Sequence, residues 1–408
     1  MNKLFRNIFS LSVLQIVTYI VPLIILPYLV RVLGVDKFGL VVFAQSLCAY
    51  FIIVTDFGFS LSANRHISLY RDDKNRLNEV YSSTIYLKLI LLLLSFIVFS
   101  FIIFSFEIYS KHILLYYLSF CLVIANTFIP TWLYQGLEKM NYLVISNVII
   151  KVFTMVAILI FVKNTDDFYL VPIIYALSSV IIVCMLHFDI YKRLNIKLVK
   201  IPLYDLREYL IESSQFFLSR LANEGLMNSI VFFIGLKFGN TILGYYSMAE
   251  KLYRAFYMIL SPINQALYPY MVKNRDVKIY KKVFSMIILV TIGASITSMI
   301  IAPFVFDILF KSTSQDSVNI FRILCIATFF GISNSLIGFP LLGALGYMKK
   351  ANISLIYGSI IALIYLVIIY YSNLSYYYFT ITIIIYESMS LSFRLYYCYK
   401  YKVLRNEY

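Results

Sequence analysis

Residues 33–44 read LGVDKFGLVVFA, and residues 238–249 read FGNTILGYYSMA. Aligned without a gap, Gly34 meets Gly239, Gly39 meets Gly244 and Ala44 meets Ala249, at an offset of 205, half the chain. Two further echoes follow in order. Arg71-Asp72-Asp73-Lys74 matches Arg275-Asp276-Val277-Lys278 at offset 204, and Pro130, Gly136 and Lys139 match Pro340, Gly346 and Lys349 at offset 210. Three matches at nearly one offset, each at an equivalent place relative to the apolar runs, point to a duplicated half.

The surrounding composition says what kind of half this is. Of the 408 residues, 61% are apolar and 13% charged, with a mean hydropathy of +0.83. A soluble chain of this length needs polar residues to cover its surface, and this one lacks them. A membrane-crossing helix needs about 20 mostly apolar residues. Twelve runs qualify: 8–30, 39–63, 80–106, 112–134, 143–162, 168–190, 209–236, 243–271, 283–306, 318–345, 352–372 and 376–397. The first follows Lys3 and Arg6 as a signal peptide would, but it is too long for one and no small-residue cleavage site follows, so it reads as a retained span.

The net charge of +15 is therefore a question of sidedness before it is a question of nucleic acid. With the N-terminus in the cytoplasm, the inner segments carry 22 Lys and Arg. The outer segments carry six, namely Arg31, Lys37, Lys111, Lys163, Lys237 and Lys311. This bias persists over six alternations and predicts both termini inside. Twelve spans in two halves of six give two parallel lobes, 1–205 and 206–408, around a central cavity. Rocking one lobe against the other gives alternating access.

No loop is long enough for a soluble catalytic domain, and no GxxxxGK[ST] is present to bind a nucleotide. The five cysteines stand singly, and the chain has only three histidines. No cofactor, metal site or catalytic residue is expected.

Ionisable residues inside spans are expensive and mark wet interiors. They are Asp56, Lys88, Lys151, Glu212, Arg220, Glu224, Glu250, Lys251, Arg254, Arg322, Glu387 and Arg394. Lys88, Lys151, Arg322 and Arg394 lie near span ends and read as snorkelling to the headgroups. Arg220 and Glu224 are four residues apart and share a helix face, as do Glu250 and Arg254 with Lys251 beside them. Asp56 is deep and has no evident local partner. Arg31 and Arg65 stand at the mouths of spans 1 and 2. The interior leans positive, which suits an anionic substrate, and arginine's planar fork suits phosphate in particular. A lipid diphosphate carrying a sugar fits, with its head in the cavity and its chain in the bilayer. Most of the 37 Tyr and 34 Phe read as interfacial belts and packing.

Several stretches resemble a known family. SLSVLQIVTYIVPLIILPYLVRVLGVDKFGLVVFAQSLCAYF (10–51), WLYQGLEKMNYL (132–143), FFLSRLANEGLMNSIVFFIG (216–235) and LGYYSMAEKLYRAFYMILSPINQALYP (243–269) look like O-antigen flippases of the Wzx type. Those belong to the polysaccharide transporter family in the multidrug/oligosaccharidyl-lipid/polysaccharide flippase superfamily. The resemblance covers about residues 8–275. It implies an all-α, MATE-like fold of twelve spans in the bacterial inner membrane. It also implies movement of undecaprenyl-diphosphate-linked O-antigen repeat units from the cytoplasmic to the periplasmic leaflet, for lipopolysaccharide biosynthesis. Polymerase and chain-length regulator proteins of the same pathway are the implied partners.

Cationic cavity residues carry the substrate in that family, and Arg31, Arg220 and Lys251 match its charges. Glu224 departs from the pattern. On these grounds the expected substrate-binding residues are Arg31, Arg65, Arg220, Lys251 and Arg254, and the expected ion-coupling residues are Asp56 and Glu224. Three other readings stand beside this one. A multidrug cation exporter of the same superfamily would want deep acidic residues, of which the first half offers only Asp56. An O-polysaccharide polymerase or ligase would want a large periplasmic loop. A flippase for another lipid-linked glycan, such as capsule or lipid II, would share these features.

Overall fold

The structure is a computed structural model. It describes the backbone of residues 2–258, 261–311 and 314–403, and side chains from Val21 onward except at 203, 205, 219, 261–263, 265 and 266. Lys3, Arg6 and Arg405, counted above among the inner charges, lie outside the described side chains.

Among the described residues the chain is helical and contains no strand. Fourteen α-helices run in order: α1 Asn2–Asp56, α2 Phe59–Leu69, α3 Lys74–Ser105, α4 Ile113–Thr127, α5 Thr131–Gly136, α6 Met140–Phe161, α7 Leu170–Asp189, α8 Leu203–Arg220, α9 Leu226–Met258, α10 Ser261–Asn274, α11 Val277–Phe310, α12 Gln315–Leu336, α13 Met348–Tyr371 and α14 Tyr376–Lys400. Nine stretches among the described residues are long and apolar enough to cross a membrane.

The packing is that of a protein immersed in lipid. On α3, Leu93, Ile97, Phe101 and Phe104 recur at helical spacing and are exposed, while Ser95, Phe99 and Ile103 on the opposite side are buried. On α11, Leu289, Ile296, Ile300 and Phe304 are exposed, while Thr291, Ser295 and Ala302 are buried. Large apolar side chains face out, and small or polar residues such as Ser95, Thr291, Ser295 and Ala302 take part in the packed faces, as expected where the solvent is hydrocarbon and close helix contact favours small residues.

The chain forms two compact units, Met1–Leu221 and Ala222–Tyr408. In the first, Trp132, Tyr134, Ile67, Ile150 and Leu186 are central to one core. In the second, Met271, Tyr280, Leu336 and Leu341 are central to another.

Each unit carries the same backbone devices. Gly34 (φ 76°, ψ 160°) kinks α1, and Gly239 (φ 80°, ψ −177°) kinks α9. These are conformations that L side chains rarely adopt, which accounts for glycine at both places. Asp73 caps α3 by accepting from the amides of Asn75 and Arg76, and Asp276 caps α11 by accepting from those of Lys278 and Ile279. Before α6, Lys139 N donates to Tyr134 O and Glu138 has φ 56°. Before α13, Tyr347 N donates to Leu342 O and Gly346 has φ 94°. The backbone correspondences therefore pair 34 with 239, 73 with 276 and 138 with 346. The first is the register read from the sequence. The other two differ from it by one and two residues, because the equivalent caps and turns are not made by the identical letters.

Several apolar runs are not continuous helices. The second breaks at Phe57 and Gly58, both at positive φ. The fourth breaks before Pro130, and the tenth ends in a π-helical turn, Ile337–Gly343, that contains Pro340. Proline removes one helical hydrogen bond and displaces the helix from its preceding carbonyl, so the backbone widens or breaks there.

Candidate functional site

In the first unit the site is built at the break between α1 and α2. Phe57 and Gly58 take left-handed conformations and end α1 at Asp56. A Cβ on Gly58 would lie 2.6 Å from the Ser213 carbonyl and 2.8 Å from Phe216 Cβ, so only glycine lets α8 approach this closely. The Ser62 and Ser213 hydroxyls, 2.7 Å apart and both buried, join α2 to α8. This approach carries Arg220, the last residue of α8, to Asp56, where its guanidinium forms an ion pair with Oδ2.

Asp56 is engaged from three elements. Lys88 Nζ of α3 lies 3.3 Å from Oδ1, and Ser60 Oγ of α2 donates to Oδ2 at 2.9 Å. Two cations share one carboxylate, leaving a surplus positive charge. The two cations differ in access: the Lys88 side chain is 2% exposed, Arg220 26% and Asp56 15%. A lysine buried to that degree is tolerable only beside a counter-charge. Lys88 does not snorkel, as its position in the run suggested. The core closes over it, and Asp56, for which no local partner was evident, supplies the charge it needs. The accessible member is Arg220, whose fork can turn from a carboxylate to a phosphate without a change in bonding type. Lys88 and Ser60 would then keep Asp56 satisfied.

Further along α2, Arg65 lies 3.3 Å from Glu212 of α8, and His66 Nε2 lies 2.6 Å from the other oxygen of that carboxylate. The Arg65 side chain is largely exposed. Arg31, also exposed, sits one turn before the Gly34 kink, and the helix from that kink to Asp56 is about 33 Å long at 1.5 Å per residue. It is not brought to the Asp56 cluster.

In the second unit, Arg254 of α9 pairs with Glu250 one turn earlier, as the four-residue spacing expects. Lys251 beside it is half-buried. Glu224 lies exposed in the π-helical turn Leu221–Gly225 that precedes α9. Sequence reasoning did not single out the buried group that stands near Arg254 in this unit. Asn334 Nδ2 of α12 donates to Glu387 Oε2 of α14 at 2.7 Å. Arg394, 2% exposed, gives its nitrogens to the carbonyl oxygens of Asn334 and Ala351 and to Ser354 Oγ. Arg394 therefore does not snorkel either. The available signal was the charge itself, two intramembrane ionisable residues two turns apart on the last helix. Among the described residues, no group of three His, Cys, Asp or Glu is placed to hold a metal ion.

Long helices with apolar outer faces, ion pairs held between helices and a kink repeated in each unit define a multi-pass membrane protein. An inward-facing multidrug resistance MATE family transporter of the MOP superfamily superposes with a TM-score of 0.74, covering 98% of this chain and 99% of that one at 15% identity. Lipid II flippase MurJ in its inward closed conformation superposes with a TM-score of 0.68, covering 97% and 87% at 13% identity. At these identities the likeness is one of fold.

The sequence is more specific. Residues 4–275 match the family described as "Polysaccharide biosynthesis protein", and the chain belongs to that family. A relative from Escherichia coli (strain K12) bearing the name "Putative O-antigen transporter" is 26% identical over 264 residues. That aligned stretch is 65% of this chain and 64% of the relative, just under two thirds of its length.

Proposed function

We propose that this protein is a flippase that carries undecaprenyl-diphosphate-linked O-antigen repeat units from the cytoplasmic to the periplasmic leaflet of the bacterial inner membrane. The family, the name of the relative and the MATE-type fold support a transporter of lipid-linked polysaccharide precursors. Splitting α1 at Gly34 and α9 at Gly239, and adding the tyrosine-rich α14, turns the nine apolar stretches into twelve spans. Twelve spans agree with the alternation of basic segments and with both termini in the cytoplasm. The mechanism is alternating access between two six-span lobes divided near residue 205.

The observation that carries this reading is the Asp56–Lys88–Arg220 cluster, a net positive charge held among apolar helices with its arginine accessible. In the resting cluster Asp56 holds Arg220. A diphosphate, with more charge and more acceptor oxygens, displaces the carboxylate and takes the guanidinium in a bidentate grip. Asp56 then remains bonded to Lys88 and Ser60, so the exchange strands no buried charge. A proton arriving on Asp56 also releases Arg220, but it removes the counter-charge of buried Lys88, so the protonated state is short-lived and the proton is readily given up again. This makes Asp56 the ion-coupling group, with Glu224 a second candidate. Arg254 repeats the device in the second unit, held by Glu250 with Lys251 alongside. Arg31 and Arg65 stand as outlying charges on the substrate's path. The charged head travels past these groups while the polyprenyl chain stays in lipid. Polymerase and chain-length regulator proteins would act on the product.

The test replaces Arg220 with alanine and with lysine in a strain lacking the protein. Alanine is expected to abolish surface O-polysaccharide and to accumulate undecaprenyl-linked repeat units inside, and lysine to restore it partly. Wild-type polysaccharide with Arg220→Ala would refute the site.

A further inference from the structure

A cavity of about 300 Å³ lies within the second unit, formed by α9, α12, α13, α14 and the π-helical turns. This is at the lower end of the size range of small-molecule sites, room for one ring rather than a chain. Its aromatic lining is Tyr253, Tyr257, Phe339 and Tyr386, and Asn334 and Glu387 supply amide and carboxylate among them. We infer that this cavity binds an uncharged sugar ring of the glycan carried by the transported lipid. This inference rests on the flippase reading above.

Three observations point to a neutral carbohydrate. The first is charge. Arg254 and Arg394 line the cavity, and so do Glu250 and Glu387, so the ionisable lining balances. Arg254 is already paired with Glu250, and the nitrogens of Arg394 are committed to two backbone carbonyls and the Ser354 hydroxyl. An anion would therefore find no surplus positive charge in the depth of this cavity, unlike at Asp56–Lys88–Arg220.

The second is lining chemistry. A pyranose presents an apolar C–H face and a rim of hydroxyls that both donate and accept. It needs aromatic faces for the one and planar amide or carboxylate groups for the other. The Tyr386 hydroxyl donates to Asn223 Oδ1 at 3.0 Å, and that of Tyr257 to the Gly331 carbonyl at 3.2 Å, so both rings are held in place at the cavity wall. The third is an unmet demand. Asn334 is 3% exposed, and its Oδ1 has no hydrogen-bond partner among the described residues, while its Nδ2 is committed to Glu387. A buried carbonyl oxygen without a donor is costly unless something fills the role, and a sugar hydroxyl does.

The experiment measures equilibrium binding of defined probes to the full chain in lipid nanodiscs. The probes are a short polyprenyl diphosphate, the same lipid carrying one neutral hexose or N-acetylhexosamine from a panel, and the same lipid carrying glucuronic acid. At least one neutral glycosyl probe should bind about tenfold tighter than the bare diphosphate, the scale of one well-made hydrogen bond. Asn334→Ala and the milder Tyr386→Phe should each erase most of that advantage and leave binding of the bare diphosphate unchanged, which also reports that the variants are folded. Equal weakening of both probes, or preference for the glucuronyl lipid, would overturn the inference. So would a Glu387→Gln variant that loses only a sodium or pH dependence while keeping sugar discrimination, since the cavity would then be a cation site. Wild-type protein that binds the bare and neutral glycosyl lipids equally sinks the sugar site but not the flippase. Wild-type protein that binds none of the probes sinks both.

Discussion

The sharpest consequence of the structure concerns Asp56→Asn. The change removes one negative charge from a cluster that holds two positive ones. Lys88, 2% exposed, is then left against Arg220 with no counter-ion. Removing one partner of a buried pair costs about 3–5 kcal/mol, because the other charge stays buried and uncompensated. Lys88→Met should cost much less, about 1–2 kcal/mol, because Asp56 keeps Arg220 and Ser60 and loses only one charge-assisted bond. The double variant Asp56→Asn/Lys88→Met removes the stranded lysine together with the carboxylate. It should recover part of the loss: with single costs of about 4 and about 1.5 kcal/mol, a coupling of about 3 kcal/mol leaves the double variant at about 2.5 kcal/mol, between the two. Thermal unfolding of the purified chain in detergent, followed by retention of the monodisperse peak, ranks the three. The expected order of stability is wild type, Lys88→Met, double variant, Asp56→Asn. If Asp56→Asn is as stable as Lys88→Met, or the double variant is no better than Asp56→Asn, then Asp56 does not neutralise Lys88. The exchange argued for Arg220 would then fall with it.

Other perturbations separate backbone demands from packing. Gly34→Ala and Gly239→Ala should cost alike, about 1–3 kcal/mol each, because both sites have the same unusual backbone and a Cβ at either meets nothing within 4 Å. Gly58→Ala should cost more than either in the same unfolding assay, since it adds a collision with the Ser213 carbonyl to a positive φ. Lys237→Met should lower stability by about 1–3 kcal/mol, because Lys237 Nζ bonds the carbonyls of Ile369, Tyr370 and Ser372 at the end of α13. Hydrogen exchange at residues 366–372 is the readout, and unchanged protection there would count against the capping role. Asp73→Ala and Asp276→Ala should each cost about 1 kcal/mol and by similar amounts, as equivalent caps do.

The amino-acid sequence determined what depends on chain-local chemistry. Runs of apolar residues gave the spans, since a backbone in hydrocarbon has to bond to itself. The match of Gly34 with Gly239 announced the repeat, though that both are kinks, and that Asp73 and not Asp72 is the counterpart of the Asp276 cap, came from the structure. The spacing of Glu250 and Arg254 was enough to foresee their pair. Which charges meet across helices was decided only by the fold. Asp56 joins Lys88 and Arg220 from positions 32 and 164 residues away, and Asn334 joins Glu387 across 53. In a soluble helix the polar face tells the reader which side turns inward. In a helix such as α3 both the lipid face and the packed face are apolar. Lys88 therefore looked like a residue reaching for the headgroups until packing turned it toward Asp56. Arg394 was misread for the same reason, because its partners are backbone carbonyls and a serine that no pattern of side chains announces. The charges were visible in the letters, but their partners are set by helix rotation, which only tertiary packing fixes.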